Sequence, residues 1–176
     1  MILMNIKRLT RCSMLIAVYV VLSILTPIKL SNFKFTFEAF PILVAAIVFG
    51  PYDGFIVGLL GSFIYQAFFS GYGLMLTTPL WMLPHFVSGL IVGLYSKKYN
   101  YNLNNRQLIC ITIISAIIVT ILNTLAIYID SKIFGYYTFV YVFGSIIFKF
   151  IAGIILAIIY SLIINRLIKN ITSMRH

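Results

Sequence analysis

Residues 37–69 read FEAFPILVAAIVFGPYDGFIVGLLGSFIYQAFF, two apolar runs joined by Gly50-Pro51. Proline cannot be inserted into a helix interior without loss of a hydrogen bond, yet its fixed φ suits the first helical position. The pair therefore ends one helix, about 37–49, and starts the next, about 52–69, with a tight turn between them. A bilayer core of roughly 30 Å takes about 20 apolar residues as a helix, and shorter segments survive only where protein covers their backbone. The stretch reads as a helical hairpin inside a membrane, with a short first arm.

Working outward, four more apolar segments follow the same rule, at about 9–26, 80–95, 107–129 and 138–168. Pro27 to Thr36 is too polar and too alternating to span and reads as an ordered external loop. Gly71, Gly73 and Thr77 to Pro79 mark a turn, Lys97 to Arg106 (KKYNYNLNNR) must lie in water, and Asp130 to Tyr137 makes a short polar turn. Lys7, Arg8 and Arg11 before an apolar run resemble a signal peptide, but no small-residue cleavage site follows, so helix one is expected to be retained. The expected fold is an all-α membrane protein, one integral domain over 1–176 built as a six-transmembrane-helix bundle.

Composition agrees with that reading. Of 176 residues 62% are hydrophobic and 9% charged, and the mean hydropathy is +1.08; an average soluble domain has roughly 25% charged residues. Lysine and arginine total 13 against three acids, Glu38, Asp53 and Asp130, a net charge of +10. The bases form short clusters between apolar runs rather than a stripe, which points to membrane topology and away from nucleic acid. Lys7, Arg8, Arg11, Lys97, Lys98, Arg106, Arg166, Lys169 and Arg175 fall on one side, with Lys29, Lys34 and Lys132 opposite. Cytoplasmic sides carry the excess of bases, so both termini are expected in the cytoplasm and the loops around Ser31, Tyr72 and Ser131 outside.

Polar groups at membrane depth are costly and tend to line a cavity or pathway. Gln66, Trp81, His85, Asn123 and Lys149 are such groups. Lys149 interrupts a long apolar run and needs a polar interior, unless it snorkels or pairs with Asp130 or a carbonyl. Trp81 and His85 share one helical face, suited to stacking on and hydrogen-bonding a ring, although an interfacial aromatic beside a satisfied histidine gives the same pattern. Phe33 and Lys34 are placed to cap a ligand, as membrane-belt residues would also be. Small residues four apart, which let helices approach closely, recur at Ser13 and Ala17, Gly54 and Gly58, Gly89 and Gly93, and Gly153 and Ala157. Internal packing explains such pairs, and so does a partner protein; Ser13, Ala17, Gly54 and Gly58 are the candidates for partner binding. Cys12 and Cys110 show no metal or disulfide spacing. No Walker sequence, paired carboxylates, HExxH or serine-centred elbow occurs, so neither an enzyme nor a cofactor is expected.

The stretch Phe49 to Ser62, FGPYDGFIVGLLGS, resembles the turn between helices two and three of the substrate-binding S-components of energy-coupling factor (ECF) vitamin transporters. Trp81 to Gly93, WMLPHFVSGLIVG, is similar to helix four of the folate-type and cobalamin-type relatives. The resemblance implies capture of a water-soluble vitamin, folate-like or cobalamin-like, at the outer face. It also implies delivery to a transmembrane T-component with two cytoplasmic ATPases. In that family a small-residue pattern on helix one meets the T-component, and the matching residues here are Ser13 and Ala17. Folate-type members carry Pro-Gly-Phe after helix three and an aspartate where this chain has Ser62; here Thr77-Thr78-Pro79 stands instead. The family's pocket lies in the outer half, where Phe33, Lys34, Trp81, His85, Asn123 and Lys149 would sit. Two other classes fit the same residues less fully: a stand-alone channel or secondary transporter, and a structural membrane subunit.

Overall fold

The computed structural model describes residues 6–26, 28–30 and 33–173, with backbone alone at 28–30, 33–35 and 169–173. In lipid every backbone N–H and C=O must be paired within the chain, and the apolar segments meet that demand as helices. Helix α1 is Ile6–Leu25. Helix α2, Ala39–Val44, continues as a π-helical turn, Ala45–Phe49, and α3, Pro51–Ile64, continues as another, Tyr65–Phe69. Helices α4, Thr78–Lys98, and α5, Asn105–Ile133, follow, and the last segment is broken into α6, Phe139–Phe143, and α7, Ile146–Ser173. Among the described residues five segments are long and apolar enough to cross a bilayer, and Ala39–Phe49 is a shorter sixth. The fold is thus the all-α bundle of six membrane helices read from the sequence.

The stretch expected as an ordered loop is a two-stranded antiparallel hairpin, β1 Ile28–Leu30 and β2 Phe33–Phe35, with Lys29 opposite Lys34. The helices alternate in direction, so this hairpin shares one end of the bundle with residues 70–77 and 134–138. At the other end sit Gly50, residues 99–104 and the basic residues Arg8, Arg11, Lys97, Lys98 and Arg106. These are called below the hairpin end and the arginine end.

Several boundaries differ from the sequence reading. Helix α5 runs on to Ile133, so Asp130 lies inside the helix and the turn begins only at Phe134. Its other end is fixed by a capping box between Asn104 and Gln107, which draws Asn105 and Arg106, read as loop, into the helix. The sixth segment breaks at Gly144 and Ser145, and Thr138 Oγ1 accepts from the Tyr141 N–H at 3.2 Å to start its first piece.

Helix α2 is the central post. Pro41, Ile42, Leu43, Ala45, Ala46 and Ile47 are all buried. One core cluster joins Ile42 and Ala45 to Cys12, Tyr19 and Val57, and the other joins Leu43, Ala46 and Ile47 to Val92, Leu108, Ile111, Tyr160 and Ile164. Gly50, at φ +109°, makes the turn out of it, with its N–H donating to the Ala45 carbonyl at 3.1 Å. Pro51 then opens α3 at its first helical position, as read from the sequence.

Helices α3 and α4 touch backbone to backbone. A Cβ placed on Gly54 would lie 2.7 Å from the Gly89 carbonyl oxygen, and one on Gly58 would lie 2.6 Å from that of His85. This corrects the assignment of Gly54 and Gly58 to partner binding. Both are buried and their open faces are filled by α4 of the same chain. Ser13 and Ala17, by contrast, lie on the exposed face of α1.

Candidate functional site

Helix α2 has six α-helical and five π-helical residues, which rise about 16 Å, about half of a bilayer core. The central post therefore ends part-way, and its N-terminal end meets α1, α4 and α7 through Thr26, His85 and Tyr160. Glu38 and Phe37 mark that level. The Phe37 N–H donates to Thr26 Oγ1 at 3.1 Å, and the Tyr160 hydroxyl donates to the Thr36 carbonyl at 3.3 Å. Tyr160 also packs against the rings of Phe37 and Phe40.

His85 is buried at this level, its Nε2 3.9 Å from Glu38 Oε1 and its ring edge-on to Tyr19 at 5.6 Å. Trp81, one turn nearer the hairpin end and half-buried, continues the α4 stripe that contains His85, Ser88, Val92 and Ser96. Asn123, also half-buried, is seven residues from the buried Asp130 and eleven from the buried Thr112, so the three share the inward face of α5. Lys149 lies on the α7 stripe that continues through Gly153, Ala157, Tyr160 and Ile164. A Cβ on Gly153 would lie 3.6 Å from both Ala116 and Thr120, which puts Lys149, one turn away, level with Thr120 to Thr124. Trp81, His85, Asn123 and Lys149 thus share the hairpin half of the bundle. Gln66, half-buried on the π-helical turn of α3, is at the same end, and its carbonyl accepts from Ser70 Oγ at 2.7 Å. Phe33 and Lys34 fall on β2, and their side chains lie outside the described residues.

Hydroxyls deeper in the bundle are hidden on their own helices. Ser23, Ser62, Thr112, Thr120 and Thr124 each donate to the carbonyl four residues back. Among the described residues, four buried side-chain atoms have no hydrogen-bond partner: Thr77 Oγ1, Asp130 Oδ1, Ser145 Oγ and Lys149 Nζ. All four belong to the hairpin half. Leaving such a group unpaired costs about 1–3 kcal/mol, and more for a charge. Lys149 does not pair with Asp130; Asp130 Oδ2 accepts instead from the Tyr136 hydroxyl. No group of three or more metal-ligating side chains occurs among the described residues.

The arginine end holds a charge cluster that the sequence pattern did not reveal. Asp53, in the first turn of α3, is buried with 3% of its side chain exposed. Arg8 Nε donates to Asp53 Oδ1 at 2.5 Å and Arg11 Nη2 lies 2.9 Å from Oδ2. The Arg11 guanidinium also covers the Phe49 ring at 4.3 Å. The one available signal was a lone acid three residues beyond Gly50, in a chain with three acids in all.

The family described as ECF transporter, substrate-specific component, matches residues 7–164. The chain belongs to this family. No curated protein matches the sequence. Among solved structures, the S component of a bacterial ECF transporter is similar at 27% identity and a TM-score of 0.69, over 94% of this chain and 97% of that one. The S-component for biotin from an ECF-type ABC transporter superposes with a TM-score of 0.68 at 19% identity, over 93% of this chain and 92% of its own. FolT bound with folic acid gives 0.67 at 20% identity, over 89% and 95%. This substrate-specific component is a multi-pass protein of the plasma membrane, and the resemblance carried by FGPYDGFIVGLLGS holds.

Proposed function

We propose that this substrate-specific component captures a water-soluble, ring-bearing vitamin, folate-like or cobalamin-like, at the hairpin end. That end faces outward, and the vitamin is passed inward by a T-component and two cytoplasmic ATPases. The observation that carries the proposal is Lys149 Nζ, a buried ammonium without a hydrogen-bond partner among the described residues, on the inward face of α7 where the central helix has ended. A cation at that depth is retained when a polar ligand meets it. Trp81 and His85 supply an aromatic face at the same level, with Asn123 and Gln66 as further hydrogen-bonding groups and the hairpin carrying Phe33 and Lys34 as a cover. Ser13 and Ala17 are the contact for the T-component, because small side chains on an exposed membrane face let another helix approach closely. The arginine end, with most of the basic residues, faces the cytoplasm.

Two measurements test this. The chain, extracted from its native membrane in mild detergent, should co-purify with a T-component and ATPases; recovery alone while those partners are present in the cell counts against the proposal. The purified chain, screened against water-soluble vitamins, should gain about 4 kcal/mol of apparent stability from a ligand at a thousandfold excess over its Kd. Uptake into liposomes by the isolated chain without ATP would identify a self-sufficient transporter instead.

A further inference from the structure

Asp130 is an acid that the vitamin-binding reading leaves unused. It is 7% exposed, and only one of its two carboxylate oxygens has a partner, the Tyr136 hydroxyl. No cation pairs with it among the described residues. The nearest base in sequence, Lys132, points its Nζ onto the Tyr137 ring at 3.9 Å, with Tyr128 at 5.9 Å. Asp130 shares the inward face of α5 with Asn123, two turns or about 10 Å nearer the hairpin end. Asn123 is in turn level with Lys149. The hairpin half therefore holds an orphaned donor at its deeper level and an orphaned acceptor above it, with Thr77 Oγ1 and Ser145 Oγ also unpartnered at that end.

We propose that Asp130 forms an acceptor subsite of the pocket, taking hydroxyl or amide N–H donors on an uncharged part of the ligand. This rests on the vitamin-binding reading of the hairpin half. A buried carboxylate with a free oxygen is satisfied by a donor and repels a second carboxylate, so the subsite selects by charge. The ligand is polarised end to end, with an acceptor edge toward Lys149 and a donor-bearing, uncharged segment toward Asp130. Vitamins whose polar segment is rich in hydroxyls or amides match this arrangement. Those ending in a carboxylate do not, so of the two ligand types proposed above the subsite favours the cobalamin-like over the folate-like.

The test uses the purified full-length chain in detergent and four probes: riboflavin and cyanocobalamin, with uncharged hydroxyl- or amide-bearing segments, and biotin and folic acid, with carboxylate tails. At least one uncharged probe should bind more tightly than both acids, a ranking that needs no variant. Asp130→Asn, nearly isosteric, should weaken that probe at least tenfold. An acid as the tightest ligand, or an affinity within twofold of the unaltered chain for a folded Asp130→Asn protein, overturns the subsite while leaving vitamin capture standing. If none of the four nor any other water-soluble vitamin binds the unaltered chain, the vitamin-binding reading itself fails, and the subsite with it.

Discussion

Replacing Asp53 with asparagine should destabilise the bundle by about 2–4 kcal/mol while leaving ligand affinity at the hairpin end unchanged. At an effective dielectric constant of about 20, opposite charges about 4 Å apart attract by about 4 kcal/mol, and removing one partner of a buried pair commonly costs about 3–5 kcal/mol. Asp53 is buried, but its partners are unequal: Arg8 is 22% exposed at 2.5 Å, and Arg11 is 39% exposed at 2.9 Å. Solvent screens Arg11, whose share falls below about 1 kcal/mol, whereas Arg8 couples to Asp53 by about 2 kcal/mol. The assay is a double-mutant cycle of Asp53→Asn with Arg8→Gln and with Arg11→Gln, read from unfolding of the purified chain in mixed micelles. Coupling energies below about 0.5 kcal/mol for both pairs, or a stronger coupling to Arg11 than to Arg8, would refute the reasoning. A tenfold loss of ligand affinity in Asp53→Asn would also refute the separation of the two ends.

Gly89→Leu should destabilise the isolated chain by more than about 2 kcal/mol, because even a Cβ there would lie 2.3 Å from the Gly54 carbonyl oxygen; thermal unfolding without any partner present reads it. Ser13→Leu and Ala17→Leu, on an exposed face of α1, should change stability by less than about 0.5 kcal/mol and reduce co-purification with the T-component. Lys149→Met should weaken ligand binding about ten- to hundredfold, the worth of a charged hydrogen bond, measured by equilibrium titration with the unliganded fold intact. Burial first, then the hydrogen bond to Asp130, raises the Tyr136 phenol above its usual pKa. A group raised on folding contributes stability that is full below the unfolded value, about 10, and is lost as pH climbs through the folded one. Stability measured from pH 9 to 11 should therefore fall less steeply in Tyr136→Phe than in the unaltered chain.

The fold was legible because lipid leaves the backbone so few options. Gly50-Pro51 located one helix boundary to the residue, and the apolar runs located the others to within a few residues. What could not be read was whatever depends on side chains meeting across the bundle. Gly54 and Gly58 have a spacing that suits a partner helix as well as an internal one, and only the position of α4 decides between them. Asp130 reads as a turn residue because acids are unexpected in a membrane helix, so the extension of α5 around it went unseen. The Arg8–Asp53–Arg11 cluster joins residues more than forty positions apart, beyond any local pattern. Lys149 was legible for the opposite reason: a single charge in a long apolar run needs no knowledge of its neighbours to be noticed.

The buried position of α2 has a consequence for the surrounding lipid. No residue of Ala39–Phe49 is exposed, so the bilayer does not sense the shortness of that helix. Acyl chains beside the hairpin end meet Phe68, Leu76, Phe139 and Phe148 instead, all of them exposed. The hydrophobic thickness that the protein presents is therefore set by its long outer helices, and lipids of longer acyl chain should change their tilt at a fraction of a kcal/mol per ångström of mismatch.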